Sequence, residues 1–191
     1  LATIVDLFYK QGVSFEVLCI GYATIPKIEY TGFVNYTFGG IIDYFMSNKV
    51  AQILWGAKDL GDGNNLNKAL YSNSFSHRMS YASRGSEYLE GHGWGSSYIL
   101  ETYADFGYIG IILFNIFLGM LFAYMIKFID KGSFRFTLML VILTGIYFAP
   151  RDAALGWINF IFYLQFIVPA VVCYVAAGLC VKEYCRKNHV L

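Results

Sequence analysis

The chain has 191 residues, 57% of them apolar and 19% aromatic but only 14% charged, with a formal net charge of +1. A charged fraction so far below the roughly 25% of soluble domains excludes an ordinary water-soluble globule.

Residues 1–25 include "QGVSFEVLCIGYATIP", a moderately apolar stretch interrupted by Lys10 and Glu16 and closed by Pro26. It is too short for a span and reads as an interfacial or re-entrant segment. The chain begins at Leu1 without a basic start, apolar core and cleavage site, so a C-terminal piece of a larger polytopic protein is expected. Between Thr37 and Gly56, the apolar residues Ile41, Ile42, Phe45, Met46, Val50, Ile53 and Leu54 recur at helical spacing. Asp43, Ser47, Lys49 and Gln52 fall elsewhere on the wheel. This predicts one amphipathic helix near the outer membrane surface. "GAKDLGDGNNLNK" then reads as a turn region.

Ser72–Gly110 concentrates titratable groups: His77, Arg78, Arg84, Glu87, Glu90, His92, Glu101 and Asp105. Gly91, Gly93 and Gly95 alternate, which allows a backbone to approach a ligand closely. Ser97, Glu101 and Asp105 follow at four-residue spacing on one helical stripe, immediately before an apolar run. Carboxyl groups entering a membrane must stay wet, pair, or work.

Three charge-free runs follow. Phe106–Ile126 has 21 residues, Phe136–Pro150 has 15, and Ala153–Val181 has 29. The first and third reach bilayer length, and Arg135 and Arg151 can snorkel to extend the second. The expected fold is all-α. It is a polytopic membrane protein in which residues 1–105 form a helical extracytoplasmic segment with interfacial helices. Residues 106–191 carry three transmembrane helices, at about 106–127, 134–150 and 156–181 by the bilayer-length rule. Lys127, Lys131 and Arg135 in the first connection, and Lys182, Arg186 and Lys187 in the tail, put both on the cytoplasmic side. "RDAALGW" (Arg151–Trp157) then lies outside. Cys19, Cys173, Cys180 and Cys185 offer no disulfide framework, and His77, His92 and His189 are too scattered for zinc.

"GHGWGSSYILETYADFGYIG" resembles the signature of bacterial O-antigen polysaccharide polymerases of the Wzy type, "GxGxGSSYxxExYxDFGYxG", which stands before a late span. The matching positions are Gly91, Gly93, Gly95, Ser96, Ser97, Tyr98, Glu101, Tyr103, Asp105, Phe106, Gly107, Tyr108 and Gly110. "SHRMSY" (Ser76–Tyr81) and "RDAALGW" also look like outer-loop elements of that family, and Arg84 to Gly95 has an arginine–glycine spacing described there. Related ligases carry a His in the loop, where this chain has Ser96 and Ser97.

The resemblance implies a metal-independent glycosyltransferase without cofactor, in the bacterial inner membrane with a cytoplasmic tail. It would polymerise lipid-linked repeat units from a polyprenyl-pyrophosphate-linked donor at the outer face of that membrane. Expected catalytic residues are Glu101, Arg84, Arg151 and His92. Expected substrate-binding residues are Arg78, His77, Gly93, Gly95, Ser96, Ser97, Tyr98, Asp105 and Asp152, with guanidinium groups for the pyrophosphate and a base for the acceptor hydroxyl. Trp94 and Tyr98 suit sugar stacking or an interfacial belt. Expected partners are the polyprenyl-pyrophosphate-linked oligosaccharide, membrane lipid, and chain-length regulator and flippase proteins, with no nucleic acid. The alternatives are a lipid-linked saccharide transporter or flippase, which should carry charges deep in its helices, and an O-antigen ligase-like transferase.

Overall fold

The computed structural model describes residues 5, 15–28, 34–127, 133–146 and 148–187, and every regular element among them is helical. Helix α1 (residues 15–24) runs into a 3-10 turn at Ile25–Lys27, where Pro26 ends it. Its Val17 and Leu18, with Ile25, pack on a small core of Ile28, Tyr36, Phe75, Met79 and Leu100. The rest of the expected interfacial segment, residues 1–4 and 6–14, lies outside the described residues.

The single amphipathic helix expected over 37–56 is two helices, α2 (Gly39–Ser47) and α3 (Lys49–Trp55). Asn48 divides them. Its backbone is extended and its side chain accepts the Ala51 N–H at 2.7 Å, so the amide caps a new helix instead of continuing the old one. Phe45, Met46, Ile53, Leu54 and Trp55 are exposed. Helix α2 lies close to the residues that lead into the last helix, with Tyr44 against Tyr163 at 5.1 Å and Phe45 against Phe162 at 5.8 Å between ring centres. Asp43 ties α2 to the chain at Asn73, accepting its backbone N–H at 2.9 Å and its amide at 2.8 Å. Burial raises the Asp43 pKa, against the lowering effect of those bonds and of Arg78 and Lys68.

The expected turn region is observed over residues 56–65, opened by Gly56 in the left-handed conformation at the end of α3. Three short helices follow: α4 (Leu66–Tyr71), capped by Asn65, α5 (Phe75–Arg84) and α6 (Ser86–Leu89).

Helix α7 (Tyr98–Ile126) is the longest and contains one non-helical residue, Gly107, at φ 65° and ψ −157°. Only glycine occupies that region readily. The polar segment before Gly107 and the apolar segment after it are thus two rods meeting at a joint. Helix α8 (Ser133–Ile146) has 14 residues and is followed by a 3-10 turn at Ala149–Arg151 containing Pro150.

The third apolar run departs from a single helix starting near 156. It forms a four-residue helix α9 (Gly156–Asn159), a 3-10 turn (Phe160–Phe162), and only then α10 (Leu164–Lys187). The cause is Trp157. Its indole N–H donates to Ala154 O at 3.0 Å, and its ring packs with Leu118, Ile142 and Ala149, folding the segment across the C-terminal end of α8. Among the described residues, α7 and Leu164–Val181 of α10 are long and apolar enough to cross a bilayer, while Arg135–Ile146 is shorter. Their flanks expose Ile109, Ile112, Leu113, Phe117, Val168, Val172 and Val175, an arrangement that suits lipid.

Candidate functional site

Helix α5 presents Ser76, Ser80 and Arg84 one turn apart, a single stripe facing the glycine-rich loop. The loop is fastened to that stripe at Trp94: its N–H donates to Ser80 Oγ at 2.7 Å, and its carbonyl accepts from Ser76 Oγ at 2.6 Å. The Arg84 guanidinium lies 4.1 Å above the Trp94 ring centre and donates to Glu87 Oε2 at 3.1 Å. Gly91 needs its glycine, at φ 101°. Gly93 rests on the stripe, where a Cβ would come within 3.3 Å of Ser80 Oγ. Gly95 is exposed and has open space around it. His92 is exposed on the same loop.

Beyond Gly95 the loop turns inward. Ser97 caps α7, and its hydroxyl donates to Pro150 O at 3.1 Å. Ser96 Oγ donates to Glu101 Oε1 at 2.7 Å, and the Ala154 N–H donates to Glu101 Oε2 at 2.7 Å. Glu101 is only 2% exposed. Its carboxyl group therefore joins three segments: the glycine-rich loop, the start of α7 and the turn after α8. That turn carries Arg151, exposed, and Asp152, half-buried, whose Oδ1 accepts the Ala153 N–H at 2.7 Å. Sequence spacing suggested an arginine or an acceptor hydroxyl beside Glu101. In the folded chain both oxygens are taken by Ser96 and Ala154, and Arg84 is directed to Glu87 and Trp94.

A profile of the family "O-antigen polysaccharide polymerase Wzy" matches residues 1–184, nearly the whole chain. The chain belongs to the O-antigen polymerase Wzy family. It is an integral membrane protein of polysaccharide biosynthesis, a glycosyltransferase-like polymerase acting on lipid-linked oligosaccharides. No curated protein and no solved structure matches it.

In this Wzy polymerase the remaining predicted residues stand apart from the Glu101 junction. Asp105 accepts the N–H groups of Tyr36 and Thr37 at 3.0 and 2.7 Å and the Thr37 hydroxyl at 2.6 Å, fixing the turn before α2. Arg78, 3% exposed, donates to Ser72 O and Leu70 O at 2.8 Å each and so satisfies carbonyls at the end of α4. His77 shares a 2.9 Å hydrogen bond between its Nδ1 and the Tyr88 hydroxyl. Burial, and then the Lys68 charge, lowers its pKa below the ordinary value. Tyr98 points toward the span, donating to Asn115 Oδ1 at 3.0 Å. No group of three or more His, Cys, Asp or Glu side chains among the described residues could hold a metal ion.

Sequence reasoning missed Ser76 and Ser80 as the seat of the loop, although their spacing with Arg84 was there to be read. It also missed the Ala154 amide, which no side-chain pattern reveals.

Proposed function

We propose that this polymerase transfers the growing glycan from polyprenyl pyrophosphate to the hydroxyl of an incoming lipid-linked unit, at the outer face of the inner membrane. The observation that carries the reading is the Glu101 junction, which fastens the glycine-rich loop to the Arg151–Trp157 turn at the start of a spanning helix. A water-soluble sugar and a lipid-borne pyrophosphate meet at that boundary. In the transfer, the acceptor oxygen bonds to the anomeric carbon while the bond from that carbon to the pyrophosphate oxygen breaks. The hydroxyl proton goes to a base, and His92, exposed on the loop, is the residue we assign. Charge gathers on the leaving pyrophosphate, and Arg151 is the guanidinium assigned to meet it with a bidentate pair of hydrogen bonds.

Glu101 in this reading is a positioning residue, since its oxygens are occupied within the protein. Gly93, Gly95, Ser96 and Asp152 border the substrate, and Arg84 lies on the sugar side. The donor's polyprenyl chain runs beside the spans, and the exposed apolar residues of α2 and α3 rest in the outer interface. Helix α8, lengthened by snorkelling Arg135 and Arg151, completes three spans with a cytoplasmic tail. Chain-length regulator and flippase proteins are the expected neighbours, and guanidinium charge takes the place of a metal.

The test is Arg151→Lys beside Arg151→Ala, with membrane insertion measured for both. Lysine keeps the charge but loses the planar fork. Both variants should insert normally and leave single repeat units instead of long chains on gels of the surface glycan. Normal chain lengths from the lysine variant would refute the assigned role.

A further inference from the structure

Trp94 is held in an unusual way for a loop tryptophan. Its backbone is locked to α5 through Ser76 and Ser80, and Gly93 and Gly95, both exposed, leave no side chain on either flank. The ring is partly buried against the Phe75–Met79–Leu100 core and covered by the Arg84 guanidinium. Apart from this stack, Arg84 holds to Glu87, a side chain 61% exposed.

Two N–H groups in this stack, Arg84 Nε and Trp94 Nε1, are shielded from solvent and meet no acceptor among the described residues. Ser76, Ser80, Ser96 and Ser97 nearby each donate to an oxygen, and the equivalent indole N–H of Trp157 donates to Ala154 O. Buried donors in folded proteins are ordinarily satisfied. Two exceptions stacked on one another indicate that acceptors come from a ligand.

The chemistry narrows that ligand. An aromatic ring flanked by bare backbone offers a platform to the C–H face of a pyranose, and N–H groups at its edge suit sugar oxygens. Pyrophosphate fits less well. Glu87 already balances the guanidinium, and Glu90 follows close by in the chain, so no net positive charge is left for a multiply charged anion.

We propose that Trp94 and Arg84 form a sugar seat with a built-in lid. Arg84 lies over the ring at rest, shifts aside when a pyranose of the glycan arrives, and then donates through Nε to a sugar oxygen while Trp94 Nε1 donates to another. The seat rests on the glycan-transfer reading and names the side chains that take one sugar ring.

The test follows the Trp94 indole N–H by NMR in the 15N-tryptophan-labelled full chain in detergent micelles. The resonance is identified by its loss in Trp94→Phe and, independently, in Trp94→Tyr. The probes are the oligosaccharide repeat released from its lipid carrier by mild acid, and inorganic pyrophosphate. The oligosaccharide should move the resonance downfield and saturate, and pyrophosphate should leave it in place. Trp94→Phe should raise the KM for the glycan-bearing donor several-fold while kcat stays near its original value. A resonance unmoved by the oligosaccharide, or moved equally by pyrophosphate, overturns the seat. Failure of the unaltered chain to extend its own lipid-linked repeat would instead count against the transfer reading itself, which separates the two.

Discussion

Replacing Glu101 tests whether its carboxyl group holds the site together or acts on substrate. Glu101→Ala leaves the Ala154 N–H and the Ser96 hydroxyl without their acceptor in a buried place. At about 1–3 kcal/mol for each of the two stranded groups, the loss is about 2–6 kcal/mol. Glu101→Gln is different. The amide oxygen can accept from Ala154, and the amide nitrogen can donate to Ser96 once that hydroxyl rotates to accept. Both bonds keep a partner, so the loss is about 1 kcal/mol. The assay is the unfolding midpoint in detergent, read beside the length distribution of the surface glycan. Alanine should destabilise markedly and abolish long chains, whereas glutamine should lower the midpoint slightly and retain them. A glutamine variant as unstable as alanine would refute the hydrogen-bond reasoning. A stable glutamine variant making only single repeats would show that the carboxyl group itself acts on substrate.

Arg78→Ala removes a buried guanidinium and its bonds to two carbonyls, a loss of about 3 kcal/mol or more. It should cut protein abundance in membranes, measured by immunoblot, with activity falling only in proportion. His77 has its pKa held below 6.5, so the unfolded chain takes up the proton first as pH falls, and stability drops from that value downward. His77→Asn, which keeps an acceptor for the Tyr88 hydroxyl, should flatten the stability change between about pH 7 and pH 5, as followed by thermal unfolding. Chelation should leave polymerisation intact; loss in EDTA with recovery on adding a divalent ion would contradict a guanidinium-based mechanism.

What could be read from the sequence was what depends on local pattern. Two of the three apolar runs gave helices long and apolar enough to cross a bilayer, whose thickness fixes that length, and the Gly91–Gly110 string named the loop and the helix start that hold the junction. The turn over 56–65 followed from its glycines and asparagines. The break at Asn48 was hidden because the apolar periodicity runs through it, and only the capping side chain shows where one helix stops. The folding of residues 156–162 across α8 was hidden because Trp157 looks like any other apolar residue of a span until its N–H finds Ala154. Asp105 and Arg78 carried the right chemistry for substrate. Their partners are backbone groups distant in sequence or in the adjoining helix, which composition cannot assign.

Gly107 has a mechanical consequence. Spanning helices tilt with bilayer thickness, on average by about 20°. Glu101 stands six residues before Gly107, about 9 Å along a helix at about 1.5 Å per residue. In one straight rod, that tilt would swing Glu101 sideways by about 3 Å. That displacement exceeds the 2.7 Å length of its bond to Ala154. The joint takes up the rotation in a single pair of dihedral angles, and Asp105, two residues before it, pins the upper rod to Tyr36 and Thr37. The membrane segment can follow a thicker or thinner bilayer while the carboxyl group above it keeps its register.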